Sequence, residues 1–295
     1  PHSLLGIYIG PFIDLLLPLK IKIGFNFKFV NMSNYGLCIS KRYITFLHNL
    51  IIIDMEFQKL SLSRIAAIKL ILKRKLLETN IKNSDLIVVQ SKNMYRMLKK
   101  FSKSKNILAR NIKVLPTSLP KINYNDQQKI KLYSFQLIYP CTESIHKRTA
   151  LAIKSSLIAN SIESDIGLII TTDKIISKDN SITQTGKLKH REIYRYYRGS
   201  KALLITSTHE SLGLPLLEAL AFNIPVIAPK LSYAEEILGD SACYYNDDNP
   251  EKIAKSILNC YQNYSQWKEK VSIKRKEYID KKASMQILWE YILDI

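Results

Sequence analysis

The chain of 295 residues is 46% hydrophobic and 23% charged, an ordinary globular composition long enough for two domains with buried cores. Its four cysteines, Cys38, Cys141, Cys243 and Cys260, show no CxxC spacing and no histidine in zinc-ligand register, which excludes a disulfide framework and a zinc site and suits a reducing cytoplasm. The net charge of +19 is uneven: residues 1–123 hold 21 Lys and Arg against 5 Asp and Glu, or +16, leaving +3 for the remainder, and so favour an anionic partner or membrane surface for the first part.

In chain order, Leu4–Ile9, Ile21–Val30 and Tyr43–Leu47 are apolar segments, the last two read as strands. The run Leu4–Leu17 is broken by Pro11 and Asp14, and no apolar run reaches the roughly 18 to 20 residues that span a bilayer. It has neither the basic start nor the small-residue cleavage site of a signal peptide. The chain starts at Pro1 without a methionine, so we expect the N-terminal domain to be incomplete at its start. Tyr43–Leu47 leads into His48 and Asn49, at the strand edge where open α/β sheets bind ligands, which makes His48 a site candidate beside the plainer reading of a structural histidine.

Residues 62–82 read as a helix with Ile65, Ile68, Leu72 and Leu76 on one stripe and basic residues elsewhere. Asp85–Gln90 is a buried strand, Asn93–Phe101 a second basic helix and Ile112–Leu115 a further strand. The basic faces are either solvated or docked on acidic lipid headgroups. Pro116–Gln128 is polar and without periodicity, so we place the domain boundary near residue 123, giving domains 1–123 and 124–295.

The second domain alternates strand and helix: strand Phe135–Tyr139, helix Ala150–Ala159, strand Ile166–Thr171, helix Ile193–Tyr197, strand Ala202–Thr206, helix Pro215–Phe222, strand Pro225–Ala228. That alternation predicts a parallel, doubly wound α/β sheet. From Pro250 the chain is helical, ending in Ala283–Leu293, whose Trp289, Tyr291 and Ile292 need a surface and would find it on the N-terminal domain. Asp247 and Asp248 sit in a turn-like YNDDNP and read as loop rather than metal ligands.

Between strand Ala202–Thr206 and helix Pro215–Phe222 lies the segment STHESLG. Pro215 suits the start of a helix, Asn223 a left-handed cap, and Gly213 a backbone that comes close to a ligand, which outlines a phosphate seat bracketed by Glu210 and Glu218. Taken alone, the two glutamates also read as a solvated loop residue and a helix-dipole partner.

STHESLGLPLLEAL followed by NIPVIAP, with two α/β halves joined near the middle, resembles glycosyltransferase family 4 with the GT-B fold, two Rossmann-like domains facing across a cleft. The resemblance runs from about Tyr43 to Pro250 and is strongest from Lys187 to Asp248. It implies a retaining, metal-independent hexosyl transfer from a nucleotide-diphosphate sugar to the hydroxyl of a glycan or lipid-diphosphate-linked acceptor, as in surface polysaccharide synthesis on the inner face of the cytoplasmic membrane, with no cofactor. Residue by residue it implies that Glu218 holds the donor ribose, Glu210 sits by the transferred sugar, and the backbone at Ser211, Gly213 and Leu214 cradles the diphosphate. Lys147, flanked by His146 and Arg148, matches the cation that neutralises the departing diphosphate. Leu188, in TGKL, matches the base-contacting strand end, and His48, in ITFLHN, the histidine near the reacting centre. The family's arginine before that lysine is missing from Pro140-Cys141-Thr142-Glu143, and whether Arg148 replaces it is left open. The family's glycine-rich N-terminal loop is also not visible. A non-catalytic subunit and a basic nucleic-acid-binding module are the alternatives, although the second leaves Glu210, Glu218 and the phosphate seat without a use and nucleic acid is not an expected partner.

Overall fold

The computed structural model describes residues 29–31, 43–54, 64–109, 111–122, 128–141, 145–173 and 177–280. The segment Leu4–Ile9, most of Ile21–Val30, Cys38 and the final helix Ala283–Leu293 with its packing lie outside the described residues. The chain divides into two compact units, Pro1–Pro116 and Thr117–Ile295. The boundary therefore falls before residue 123, because Leu119 packs on the core of the second unit and Ile122 is buried.

The first unit contains a parallel sheet in the order β1-β2-β3-β4, formed by β1 (Phe29–Asn31), β2 (Tyr43–Leu47), β3 (Leu86–Val89) and β4 (Ile112–Val114). Helices α1 (Leu50–Ile53), α2 (Arg64–Asn83) and α3 (Lys92–Ser104) accompany it. Its core joins Leu47, Ile53 and Val89 to Leu77 and Ile81 of α2 and to Met94, Leu98 and Phe101 of α3. Ser91 caps α3 by accepting from the Met94 N–H at 3.1 Å.

The row that α2 buries differs from the expected stripe. Leu70, Arg74, Leu77 and Ile81 are buried, while Ile65, Ile68, Leu72 and Leu76 are exposed. Arg74 decides the rotation of the helix. Its Nε donates to the Ile52 carbonyl at 2.8 Å and its NH2 to the carbonyl of Asp54, meeting acceptors in the last turn of α1 and just past it that a leucine could not satisfy.

The second unit is a six-stranded parallel sheet in the order β10-β9-β8-β5-β6-β7. Its strands are β5 (Phe135–Tyr139), β6 (Ile166–Ile170), β7 (Ile182–Gln184), β8 (Ala202–Leu204), β9 (Val226–Pro229) and β10 (Ala242–Tyr245). Both faces are covered, as a parallel sheet requires. Phe135, Leu137 and Tyr139 of β5 point into a core shared with α4 (Thr149–Ile162) and α8 (Pro250–Gln262). Ile138 points the other way, into the core under α5 (His190–Gly199), α6 (Leu214–Ala221), α7 (Ser232–Leu238) and α9 (Tyr264–Asp280).

Candidate functional site

The strand order puts β5 and β8 side by side, with the chain winding outward through β6 and β7 on one side and through β9 and β10 on the other. The crevice beyond the carboxyl ends of β5 and β8 is thus a topological switch point, where open α/β sheets take ligands. Two connections meet there: the one after β5, with a 3₁₀ turn at Ile145–Lys147, and the one after β8, leading to α6 at Leu214.

Buried hydroxyls hold both connections. The Lys147 carbonyl accepts from Tyr139 Oη and, at 2.8 Å, from Thr206 Oγ1. The Thr208 N–H donates to the His146 carbonyl at 3.0 Å, Tyr245 Oη to Ile205 O at 2.8 Å and Tyr233 Oη to Ser207 O at 2.7 Å. Each bond fixes backbone that leaves the sheet and loses its ladder partners, so the side chains above it are held in place before any ligand arrives.

On this frame Lys147 and Glu210 meet. The ammonium lies 2.5 Å from Glu210 Oε1, and the two side chains are 11% and 13% exposed. His146, beside them, has its pKa lowered first by burial and then by the neighbouring Lys147, so its ring is neutral near pH 7.

Gly213 precedes α6 in the left-handed region, φ 64°. A Cβ there would lie 3.1 Å from both Ile237 Cδ1 and Leu216 Cδ1, which would have to give way slightly, while the positive φ itself favours glycine. The helix starts at Leu214, which makes Pro215 its second residue rather than its first, and runs to Ala221, with Phe222 as its cap and Asn223 beyond it at φ 55°. There the Ile224 N–H donates to Ala219 O at 2.9 Å, closing a Schellman cap.

Glu218, one face of α6 away from Gly213, is 5% exposed and accepts from Tyr197 Oη at 2.8 Å, with His190 Nδ1 3.7 Å from its other oxygen. Burial raises the Glu218 pKa, opposed by the Tyr197 hydrogen bond and by His190. Tyr197 is itself stacked on Phe222 at 5.2 Å between ring centroids. The tyrosine partner was absent from the sequence reading. Its signal was there, since Tyr194 and Tyr197 recur three residues apart on α5, and a buried phenol needs an acceptor.

The other candidates fall around this centre. Arg148 takes φ 57° at the start of α4 and pairs with Asp248, while Asp247 pairs with Lys252 at 2.5 Å, so the two aspartates are loop residues engaged by cations of the same unit. Ser211 is half-buried and Leu214 exposed, both ahead of or at the start of α6. Leu188 is half-buried in the connection from β7 to α5, after Gly186, whose φ is 73°. His48 belongs to the first unit, where it is exposed at the carboxyl end of β2 beside Phe46, with a ring-centroid separation of 6.5 Å. Its pKa is lowered by desolvation, which favours the neutral imidazole. Among the described residues no group of three or more His, Cys, Asp or Glu is placed to share a metal ion, and no helix is long and apolar enough to cross a membrane. Cys141, Cys243 and Cys260 are buried thiols.

Lys147 offers a fixed cation, the start of α6 offers free N–H groups, and Glu218 offers a buried carboxylate: chemically, the first two can meet phosphate and the third a vicinal diol. Residues 176–282 match the family model for glycosyl transferases group 1. The chain is 36% identical over 70 residues to the serotype-specific mannosyltransferase WbdA of Escherichia coli, a match covering 24% of this chain and 9% of that protein. It is 25% identical over 93 residues to the O-antigen chain mannosyltransferase B of Escherichia coli, covering 32% of this chain and 24% of that one. The matched stretches are thus a quarter or less of these relatives' lengths. Among solved structures, Anabaena Alr3699/HepE in complex with UDP-glucose aligns with a TM-score of 0.64 at 14% identity, over 87% of this chain and 74% of that one. That likeness shows the fold, which is the GT-B fold.

Proposed function

We propose that this chain carries the donor site and an acceptor-side domain of a retaining glycosyltransferase of family 4. It moves a hexosyl unit from a nucleotide-diphosphate sugar to the hydroxyl of a glycan or lipid-linked acceptor in bacterial surface polysaccharide synthesis. The observation that carries this reading is the convergence of Lys147, Glu210 and the Gly213–Leu214 helix start at the β5/β8 switch point, with Glu218 buried in the same helix. The mannosyltransferase names of the relatives support a hexose as the group transferred.

In this reading Glu218 accepts hydrogen bonds from the donor's ribose diol and Leu188 lies against the base. The backbone at Ser211, Gly213 and Leu214 binds the diphosphate, with Arg148 at the rim. Glu210 holds the sugar, and His48 of the first unit serves the acceptor side. The anomeric C–O bond to the diphosphate breaks, a C–O bond to the acceptor forms on the same face, and the acceptor's proton passes to the departing phosphate oxygen. Lys147 stabilises the negative charge that develops on that oxygen, a role a fixed cation fills without a metal ion. Incubation with a panel of UDP-, GDP- and dTDP-sugars tests the reading. Release of nucleoside diphosphate that persists in EDTA, with a product of unchanged anomeric configuration, is expected. An inverted product overturns the mechanism, and the absence of any thermal shift with every donor favours a non-catalytic subunit.

The partner surface we propose is an anionic inner-membrane face. On α2 the apolar stripe Ile65, Ile68, Ile71, Leu72 and Leu76 is exposed, with Ile65 at 68%, and Arg64, Lys69, Lys73 and Lys75 are exposed beside it. Apolar residues flanked by cations are the composition of a helix that lies in a membrane interface. Each basic residue near such a surface is worth about 1 kcal/mol. The double variant Ile68→Ser/Leu72→Ser is expected to lose co-sedimentation with phosphatidylglycerol vesicles at low salt while keeping donor-induced stabilisation. Equal sedimentation of variant and parent removes α2 from the membrane contact.

A further inference from the structure

At the edge of the second sheet opposite the switch point lies a cavity of about 540 Å³ that the donor reading does not use. Lys129 and Lys131 precede β5, Arg198 and Gly199 end α5, Lys201 precedes β8, and Ile224 precedes β9, so its walls come from the amino ends of three neighbouring strands. Lys268 and Arg275, seven residues apart on α9, close the other side. Six of its described lining residues are basic and none is acidic.

The walls are built rather than incidental. Gln136, fully buried, accepts from the Leu132 N–H at 2.7 Å and donates to Ile130 O at 2.9 Å, and its own carbonyl accepts from the Lys201 N–H at 2.8 Å. Gly199 stands so near Ile130 that a Cβ would lie 1.8 Å from its carbonyl oxygen. The rings of Phe222 and Tyr264 form part of the lining, with Arg198 over the first at 5.6 Å and Lys201 over the second at 4.9 Å.

Cations gathered this way repel one another. Lys268 shows it: its pKa is lowered by burial and then by the nearby Lys201 and Arg275. Complementing the carboxyl ends of α5 and α6 accounts for a part of the cluster, since Lys268 Nζ donates to the Asn223 carbonyl just past α6. It does not account for six cations around one cavity. We propose that this pocket is a second ligand site, for a phosphate-bearing polyanion, distinct from the donor seat. It shares Tyr197 and Phe222 with the residues around Glu218, but none of its six cations is a donor-side candidate, so it stands or falls independently of the proposed transfer reaction.

The test uses sodium tripolyphosphate, followed by calorimetry and thermal shift at low salt, on the full chain and on two variants. Binding is expected to persist in Lys147→Gln, which alters the donor seat, and to weaken about tenfold or more in Lys131→Gln/Lys201→Gln, because two cations that would hold the anion through charge-assisted hydrogen bonds are removed. Without the probe, that double variant is expected to melt no lower than the parent, since it relieves repulsion; this shows that it folds. A parallel titration with glycerophosphoglycerol, the headgroup of phosphatidylglycerol, separates the sources. Tighter binding of tripolyphosphate assigns a soluble ligand, and tighter binding of the headgroup assigns a lipid. Binding lost in Lys147→Gln and kept in the double variant, or absent in the parent, overturns the proposal.

Discussion

Lys147→Met is expected to lower the transfer rate about 100- to 1,000-fold, the usual cost of removing one fixed group that stabilises charge developing in a transition state. It should also destabilise the fold. The Lys147 and Glu210 side chains are 11% and 13% exposed and 2.5 Å apart, so either single substitution strands a charge in a nearly dry place, at a cost of about 3 kcal/mol. Glu210→Gln is therefore expected to lower the melting temperature much as Lys147→Met does. The double variant should recover much of that stability and none of the rate. A cycle of melting temperatures and turnover numbers across the four proteins checks this. Additive stability losses would mean that the pair is not coupled, and a Lys147→Met enzyme with parental turnover would remove Lys147 from the chemistry.

Glu218→Gln is expected to do the opposite to stability while weakening the donor. Two hydrogen bonds from a ribose diol to a carboxylate are worth about 1.5–3 kcal/mol each, so losing the charge should cost about 100-fold in donor affinity. Burial raises the Glu218 pKa in the folded chain, which therefore binds that proton more tightly than the unfolded chain does. The associated stabilisation is complete below the unfolded carboxyl range and is lost as pH rises through the folded value. Glutamine carries no such dependence and still accepts from Tyr197. The variant's melting temperature should thus match the parent's in acid, rise above it through that window and keep the advantage at neutral pH. A variant less stable than the parent at pH 7 would show that the carboxylate stabilises the fold.

Much of the local structure was legible in the chain. β2 and β5 fall on the apolar runs Tyr43–Leu47 and Phe135–Tyr139, because a short apolar run bounded by polar residues has few other ways to be buried. Gly213 and Asn223 both take positive φ, as their residue types allow. The helix α5 begins earlier than its apolar residues suggest, at His190 rather than Ile193, since the Lys189 N–H donates to Glu192 Oε2 at 2.7 Å and starts it a turn sooner. Periodicity does not reveal β7, which has three residues, two of them polar, and which only the resemblance of TGKL to a strand end points to; nor does it reveal β10, built from Ala, Cys and two tyrosines. α7 was missed as well, being only seven residues long.

By itself the sequence determined the alternation of strand and helix, the short helix between Gly213 and Asn223, and the residue types offered at the sheet's carboxyl edge. These depend on neighbours within a turn or two, where propensity, capping and periodicity act. Tertiary structure decided which of them meet. Lys147 faces Glu210 across 63 positions and Arg148 turns to Asp248 across 100, because strand order brings β5 next to β8 and the β10 loop close to α4. It also chose the buried face of α2, where the carbonyls of Ile52 and Asp54 required the guanidinium of Arg74 and so left the apolar stripe in the open. A periodic pattern marks a face; which face is covered depends on the groups it must satisfy there.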